Sequence, residues 1–266
     1  MKAIHCADAD LPLETEKNTA GRAVLELRRL AGAESLGVDI EIEKGIPLAS
    51  GMGGSAASSV AAVVAANELL PSTQPIERLY AAACAGEAAA SGAPHGDNVA
   101  PSLLGGLVIA PRDGAPVPVP VPEWLHIALV HPHCELETRR SREVLAAPFE
   151  LGAVTEQTEA LALLLAGCFC GDAALLRRGT RDVLVEPRRA PLIPGFADVQ
   201  QAALGAGALG ASIAGGGPSV FGWFDSAEAA ARGAEAMQRA FATASLESDV
   251  FVSPVAGPRA EVESCT

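Results

Sequence analysis

The sequence predicts an α+β protein built from two halves, and three observations support that prediction. Apolar residues recur at helical spacing in some segments and alternate with polar residues in others. A proline-rich stretch, 111–122, lies between the two halves and predicts a domain boundary. Beyond it, the predicted order of strands and helices is typical of a ferredoxin-like domain. We therefore predict two domains, residues 1–122 and residues 123–266.

The first half begins with apolar residues at helical spacing over 18–31, where Gly32 is a typical helix end. Strict alternation over 38–43 predicts a half-buried strand, and a glycine-rich loop follows. The remaining predicted elements are a helix over 55–70, a helix from Pro75 to about Gly92 and a strand over 103–110. The proline-rich stretch is predicted to hold no regular element.

The second half is predicted from the same patterns. Its elements are a strand over 125–131, a helix from about Arg139, a helical section over 154–185, a helix after Gly195, strands over 208–214 and 220–224, a helix over 227–240 and a strand over 250–255. A Gly-Gly-Gly-Pro turn joins the two central strands. The order is that of a split βαβ unit, which predicts the ferredoxin-like half.

Composition limits the classes of function. Hydrophobic residues make up 49% of the 266 residues and charged residues 19%, which predicts a packed core rather than disorder. The net charge of -13 disfavours a nucleic-acid partner. The spacing of the six cysteines fits neither a zinc site nor a disulfide framework. Without a recognisable signal peptide or membrane-spanning run, a cytoplasmic protein with no membrane contact is predicted.

The glycine-rich loop is the most informative segment. Residues 47–58 read Pro-Leu-Ala-Ser-Gly-Met-Gly-Gly-Ser-Ala-Ala-Ser between a predicted strand and a predicted helix. Glycines let the backbone approach a ligand, and free amides at a helix start bind anions. The loop is neither a Walker A loop nor a dinucleotide-binding fingerprint. A simple capped turn is the alternative, but the strand-loop-helix context favours phosphate binding.

Three further features hold candidate site residues. Glu87 is flanked by alanines in a predicted helix, and the segment His-Gly-Asp-Asn-Val-Ala-Pro follows it at 95–101. Arg142 and Arg189 lie in two basic groups of the second half, and a guanidinium suits a carboxylate ligand. The alternative for each of these residues taken alone is a solvated or structural side chain.

Taken together and in this order, the motifs resemble those of the GHMP small-molecule kinases. The glycine-rich loop resembles the family motif Pro-x-x-x-Gly-Leu-Gly-Ser-Ser-Ala, with Met52 for Leu and Gly54 where many relatives have Ser. The turn over 210–221 resembles the third family motif. The His-x-Asp-Asn-Val-x-Pro loop, Thr-x-x-x-Arg at 138–142 and Glu-Pro-x-Arg-x-x-Leu-Ile-Pro-Gly at 186–195 resemble the branch whose substrate is homoserine.

The resemblance extends from about Leu11 to the last strand and implies a fold, a reaction and its ligands. The implied fold is the GHMP kinase fold, with a truncated amino-terminal half like domain 2 of ribosomal protein S5 and a ferredoxin-like carboxy-terminal half. The implied reaction is phosphoryl transfer from ATP, with Mg²⁺, to L-homoserine, giving O-phospho-L-homoserine in threonine biosynthesis. A homodimer is the expected assembly.

The resemblance also implies roles for single residues. Nucleotide binding is assigned to Asn18, Lys44, Pro47, Ser50, Gly51, Met52, Gly53, Gly54, Ser55 and Ala56. Ser55 and Glu87 are assigned to Mg²⁺ and, with Asn98, to catalysis. Homoserine binding is assigned to His95, Asp97, Asn98, Thr138, Arg142, Arg189 and Gly216. An amide such as that of Asn98 can bond the attacking hydroxyl but cannot take its proton, so catalysis is expected to rest on positioning and charge stabilisation.

One family motif, Pro-x-Ser-x-x-Asn-x-Gly-x-Gly-Phe-Asp, has no match upstream of Leu11. Either the start codon is assigned too late, or the chain is shortened and has an unpaired sheet edge. The missing motif predicts weak or no kinase activity for the 266 residues. Two other functions stay open: an impaired or inactive relative that acts as a binding or sensor protein, and a GHMP kinase for another small alcohol.

Overall fold

The computed structural model describes residues 1–6, 11–92, 94–136 and 138–264. It gives no side chains for Ala90, Ser91, Thr138, Arg139 and Arg142. The chain forms two compact units, each described by itself below. The first unit comprises Met1–Leu48, Gly53–Pro118 and Pro258–Thr266, and the second comprises Ala49–Met52 and Val119–Gly257. The assignment of functional domains at residue 122 stays a prediction.

The first unit is mainly helical. Its elements are β1 (Ala3–His5), α1 (Thr19–Ala31), β2 (Glu41–Glu43), α2 (Gly54–Asn67), α3 (Ile76–Ser91), α4 (Val99–Leu104), β3 (Leu107–Ile109) and β4 (Val117–Val119), which ends at the junction of the units. Asn18 caps α1 and Gly32 ends it in the left-handed conformation, as the sequence predicts. Strand β1 pairs with β2 in parallel, and β3 pairs with β4 in a separate two-stranded sheet.

Close contact between helices holds the first unit together. Its core contains Val24, Leu27, Val60, Val63 and Leu79, all buried. Helix α3 approaches its neighbours at Gly86, where an added Cβ would lie 2.3 Å from Ser59 Oγ and 2.4 Å from Thr19 O. The Ser59 hydroxyl donates to the Ala83 carbonyl at 2.7 Å, which ties α2 to α3. This contact sets the position of Glu87, one residue further along α3.

Several predicted elements of the first unit are wrong in extent. The strand predicted over 38–43 is limited to Glu41–Glu43, because only that part pairs with β1. Part of the strand predicted over 103–110 is helix α4, which ends at Gly105 and Gly106, two glycines with positive φ. The proline-rich stretch does contain a strand, β4, because proline is tolerated in edge strands and both strands of a two-stranded sheet are edges.

The second unit is built on one continuous sheet. Its elements are β5 (His126–Pro132), α5 (Thr138–Glu143), α6 (Leu151–Cys170), α7 (Ala173–Gly179), α8 (Glu186–Arg189), α9 (Phe196–Gly205), β6 (Gly210–Ile213), β7 (Val220–Phe224), α10 (Ala227–Thr243) and β8 (Ser248–Pro254). The four strands are antiparallel in the order β6-β7-β5-β8. Helices α9 and α10 share with them a core of Val130, Val199, Val220, Phe224 and Phe241. The predicted ferredoxin-like pattern is therefore present.

The helical section predicted over 154–185 is two helices, because Gly171 in the left-handed conformation ends α6 and Asp172 caps α7. Ion pairs from Arg178 to Glu159 and from Arg181 to Glu156 connect α6 to residues of or just after α7. By length and composition alone, α6 is the one helix in the described part of the chain that is long and apolar enough to cross a membrane, and 17% of its 18-residue apolar window is buried.

Candidate active site

The start of α2 is a site for an anion. Gly53, with φ of 72°, precedes the helix and gives no side-chain cap, so the first amides of α2 have no side-chain acceptor. These amides and the helix dipole favour a negatively charged ligand at this end. Ala56, in the first turn of α2, is fully buried. Gly54 packs against Ile46, where an added Cβ would lie 3.2 Å from Cγ2.

Ser55 and Glu87 meet at the same place. The Ser55 hydroxyl, in the first turn of α2, donates to Glu87 Oε1, near the end of α3, at 2.9 Å. Glu87 is buried. Burial raises the pKa of its carboxyl, the nearby charge of Asp97 raises it further, and the Ser55 hydrogen bond opposes the increase. A buried carboxylate beside a hydroxyl is a setting that a bound cation would stabilise.

Lys44 is anchored to the helix that carries the loop. Its ammonium donates to the Gly54 carbonyl at 2.6 Å and to Ser58 Oγ at 2.7 Å. Burial lowers its pKa, while Cys6 and Glu87 act in the opposite direction. Lys44 also lines a cavity of about 270 Å³ together with Ser55 and Asn18. The structure thus brings these three predicted nucleotide ligands to one cavity.

Asn18 already has partners for both ends of its amide. Its Oδ1 accepts from Ala20 N at 3.0 Å and Gly21 N at 3.2 Å, and its Nδ2 donates to the Pro12 carbonyl at 3.2 Å. The residue is buried as the cap of α1. Its assignment to nucleotide binding stays a prediction, and its visible role is to fix the start of α1 at the cavity wall.

The His-x-Asp-Asn segment borders a second cavity of the first unit, of about 530 Å³. His95 and Asp97 line it together with Tyr80, Cys84 and Arg112. Burial raises the pKa of the Tyr80 phenol to about 12, with further contributions from Cys84 and Asp97. His95, Asp97 and Asn98 are exposed. Tyr80 and Cys84 were not predicted as site residues, although their spacing of four residues on one helix places them on the same face.

Asn98 lies at the end of that segment, beside the glycine-rich loop. An added Cβ at Gly53 would be 2.9 Å from Asn98 Oδ1, so the glycine leaves space for the amide. Asn98 precedes α4, but its side chain makes no capping hydrogen bond. The amide is therefore positioned next to the start of α2.

In the second unit, residues 49–52 of the glycine-rich loop interlock with the turn between β6 and β7. An added Cβ at Gly51 would lie 2.3 Å from the Ala214 carbonyl, and one at Gly215 would lie 2.7 Å from the Gly51 carbonyl. Only glycine allows this approach of the two backbones. Met52 N donates to Ser50 Oγ at 3.3 Å within the loop. Pro47 lies just before this part of the loop, in the first unit.

A buried hydrogen-bond chain holds the same contact. The Ser219 hydroxyl donates to the Ser50 carbonyl at 2.6 Å, and His131 Nδ1 lies 3.0 Å from Ser219 Oγ. All three residues are buried. Ser219 lies in the third motif but had no predicted role, and His131 was not predicted as a site residue. A serine directly after Gly-Gly-Gly-Pro was the available signal.

Arg189 points at the other side of the same turn. Its Nε donates to the Ser141 carbonyl at 3.2 Å and its Nη1 to the Gly215 carbonyl at 2.9 Å. Ser141 Oγ donates to the Gly216 carbonyl at 3.0 Å, which joins α5 to the turn. Burial lowers the pKa of Arg189. Since a guanidinium has five N–H donors, Arg189 keeps donors for a further ligand.

Two predicted substrate residues are only partly visible. Thr138 and Arg142 lie on α5, but their side chains fall outside the described part of the structure. Ser141, between them, was not predicted as a site residue. The hydrogen bond from Ser141 to Gly216 places the α5 backbone beside the turn.

Comparison with known proteins identifies the family of the chain. Residues 18–106 match the GHMP kinases N terminal domain, and residues 160–243 match the GHMP kinases C terminal domain. With the fold and the loop described above, these matches show that the chain belongs to the GHMP kinase family, whose members are ATP-dependent phosphotransferases. The resemblance inferred from the motifs is confirmed.

Within that family, the chain belongs with the homoserine kinases. It is 55% identical to the homoserine kinase of Xanthomonas campestris pv. campestris (strain B100), over 98% of this chain and 81% of that protein. The homoserine kinase of Chlorobium phaeovibrioides is 47% identical over 92% of this chain and 79% of that protein. The crystal structure of homoserine kinase from Cytophaga hutchinsonii matches with a TM-score of 0.92 and 41% identity, covering 97% of this chain and 82% of that chain.

Proposed function

We propose that the chain transfers the γ-phosphoryl group of ATP to the hydroxyl of L-homoserine, giving O-phospho-L-homoserine for threonine biosynthesis. The observation that supports this most directly is the contact between Ser55 and Glu87 at the uncapped start of α2. The homoserine kinase relatives support the choice of substrate. ATP follows from the kinase family, and Mg²⁺ is part of the proposal.

The nucleotide side of the reaction is assigned to the first unit and the loop. The amides of Gly53, Gly54 and Ser55 donate to phosphate oxygens, and the α2 dipole offsets their charge. Lys44 holds the first turn of α2 in place through Gly54 and Ser58. The adenosine part is assigned to the cavity that contains Asn18.

Ser55 and Glu87 are the residues that would hold Mg²⁺. They fit the ion because a hydroxyl and a buried carboxylate, 2.9 Å apart, provide hard oxygen ligands. Among the described residues, no cluster of three or more His, Cys, Asp or Glu side chains is suited to a metal. Two protein ligands are compatible with Mg²⁺ here because the phosphates of ATP would supply further oxygen ligands. Bound Mg²⁺ would neutralise charge on the phosphates during transfer.

The homoserine side is assigned to His95, Asp97, Asn98 and the second-unit residues Thr138, Arg142, Arg189 and Gly216. Arg142 and Arg189 grip the carboxylate, as planar guanidinium groups pair with a carboxylate through two hydrogen bonds. Arg189 is already oriented by the Ser141 and Gly215 carbonyls, which reduces the cost of ordering it. A sugar or an isoprenoid alcohol without an α-carboxylate has nothing for these arginines to hold.

The reacting hydroxyl is oriented by Asn98, whose amide makes no helix-capping bond. Because an amide cannot accept a proton, the proposed mechanism assigns no base to this position. Phosphoryl transfer through a loose transition state depends mainly on positioning and on stabilising charge at the phosphate oxygens. The amides of α2 are the groups that meet that charge.

The same proposal includes a cytoplasmic location and a homodimer. The ion pairs that connect α6 to Arg178 and Arg181 favour this helix as part of a folded domain rather than a membrane segment. No nucleic-acid partner is proposed, since the net charge is -13.

The test is to incubate the 266-residue chain with ATP, Mg²⁺ and L-homoserine and to follow O-phospho-L-homoserine by ³¹P NMR. Mevalonate, galactose and L-serine serve as competing alcohols. Calorimetric titration of ATP and homoserine is run alongside. Formation of O-phospho-L-homoserine, with no phosphorylation of the competing alcohols, supports the proposal. Binding of both ligands without any product, beside an active control that carries the relatives' first motif, would favour a binding protein, and phosphorylation of another alcohol would replace the substrate.

A further inference from the structure

Strand β8 is an open edge of the second-unit sheet. It pairs with β5 on one side, and no other strand of the described chain pairs with its outer side. It is seven residues long and contains Val250, Phe251 and Val252, which are 37%, 38% and 41% exposed. Long apolar edges invite pairing with another strand unless lysine, a bulge or a cover protects them. No lysine lies within β8.

The hydrogen bonds to β5 show which residues face outward. His133 N donates to the Glu247 carbonyl at 2.8 Å, and Val255 N donates to the Leu125 carbonyl at 2.9 Å. In an antiparallel ladder the inward residues alternate with the outward ones, so odd-numbered residues of β8 bond to β5. The N–H and C=O groups of Ser248, Val250 and Val252, and the C=O of Pro254, therefore point away from the sheet.

This outward edge is complementary to itself. If two copies of β8 pair antiparallel about a two-fold axis at Phe251, each Val250 lies opposite the Val252 of the other copy. In each of these facing pairs, the N–H of each valine donates to the C=O of the other. Phe251 faces its own copy as a non-hydrogen-bonded pair, the arrangement in which side chains are closest. Asp249 faces Ser253, so no two like charges are opposed.

The ends of the strand fit the same register. Ser248 lies opposite Pro254 of the other copy, where the Ser248 N–H can donate to the Pro254 carbonyl. Proline has no N–H to return, but the Ser248 carbonyl already accepts from Gln238 Nε2 at 2.8 Å. If the register of the two β8 strands were shifted so that Pro254 lay opposite Val250, the Val250 carbonyl would have no donor, because proline has no N–H. A shift the other way would place the charged Asp249 opposite Phe251.

We propose that β8 is the interface through which two copies of this chain form a homodimer, joining their sheets into one of eight strands. This inference deepens the homodimer part of the proposed function and is independent of kinase activity. The interface is isologous, since residue 250 of each copy contacts residue 252 of the other.

The test uses substitutions at the two-fold axis. Phe251→Arg and Phe251→Glu each place like charges opposite each other, so each should raise the dimer dissociation constant by at least about a hundredfold. Mixing the two variants places Arg opposite Glu, and the heterodimer should form again. Sedimentation velocity over a wide concentration range measures both effects, and kinase assays or circular dichroism verify that each variant is folded.

Phe169→Arg is the matched control, because Phe169 is an exposed aromatic residue on α6, 66% exposed, far from β8 in sequence. It should leave the dimer unchanged. A parent chain that stays monomeric at all concentrations overturns both the dimer and the interface. If Phe251→Arg still forms the dimer, or if Phe169→Arg loses it, the chain is a homodimer but β8 is not its interface. Neither outcome bears on phosphoryl transfer.

Discussion

The first unit holds its strands in two separate pairs, whereas the second unit has a continuous four-stranded sheet. Strands of three residues in the first unit leave most of the packing to helices, whose core consists of alanine, valine and leucine. The second unit buries valine and phenylalanine between a sheet and two helices. The proposed metal ligands Ser55 and Glu87 lie on the helical unit, and the proposed carboxylate ligand Arg189 lies on the sheet unit. Variants of Glu87 and of Arg189 should therefore affect different steps.

The largest effect is expected at Arg189, in the second unit. Arg189→Ala should weaken homoserine binding by about 2–5 kcal/mol, because a charged pair with the carboxylate is lost. ATP affinity should change little. Calorimetric titration of each ligand measures the two effects separately.

Arg188→Ala is the matched control, since Arg188 bonds the Ala147 and Pro148 carbonyls and lies over the Phe149 ring. It should leave homoserine affinity unchanged. Equal losses from both variants would mean that Arg189 acts through folding and not through the carboxylate.

A loss of turnover is expected at Glu87, in the first unit. Glu87→Gln keeps an acceptor for Ser55 but removes the negative charge, so kcat should fall by at least about a hundredfold and the Mg²⁺ dependence should weaken. Glu68→Gln, at an exposed glutamate after α2, is the control. A normal Mg²⁺ titration in Glu87→Gln would contradict the metal role.

The same substitution should change stability with pH. Burial raises the pKa of Glu87, so the folded chain holds this proton more tightly than the unfolded chain. Stability therefore falls as pH rises from the ordinary carboxyl pKa to the raised one, and the cost is fully present above it. Glu87→Gln should be more stable than the parent chain at neutral pH, with the difference shrinking in acid. Thermal unfolding at several pH values measures this difference.

A moderate loss of stability is expected from Gly86→Ala. The added methyl would meet Ser59 Oγ, Thr19 O and Ala23 Cβ at 2.3, 2.4 and 2.7 Å, and overpacking of this kind costs about 1–3 kcal/mol. Hydrogen exchange should increase in the helices of the first unit and stay unchanged in the second-unit sheet. Gly152→Ala, in a helix with open space, should be neutral or slightly stabilising. Uniform loss of protection in both units would show that they unfold as one.

The smallest effect is expected from Ser219→Ala. Removing the hydroxyl weakens the hold on the Ser50 carbonyl, at a cost of about 1 kcal/mol. Because Ser50 belongs to the glycine-rich loop, KM for ATP should rise more than kcat falls. Ser72→Ala, on an exposed residue outside β8, is the control. A fall in thermal stability with unchanged ATP kinetics would limit Ser219 to a structural role.

The sequence predicted the second unit better than the first for a physical reason. Strand β7 is found at the predicted residues 220–224, because its apolar run is buried in a complete sheet. The strand over 38–43 depends on a partner that sequence alternation cannot reveal, and only three of its residues pair. Helix α4 was missed because Pro101 lies within its first turn, a position that proline tolerates.

The candidate site shows the same limit. Ser55, Glu87 and Arg189 could be found because each lies in a motif with a known spacing. Ser219 and Ser141 act through bonds to backbone carbonyls, and His131 acts through the Ser219 hydroxyl. Such bonds join residues as far apart as Ser50 and Ser219. No local pattern encodes a partner at that distance along the chain.

The path of the chain also constrains how the protein is made. The polypeptide passes from one unit to the other after residues 48, 52, 118 and 257. A ribosome therefore releases residues 49–52 long before the strands and turn that they join. Until the second unit is complete, the growing chain exposes a glycine-rich segment with no partner, so translation speed or a chaperone can influence the yield of folded protein.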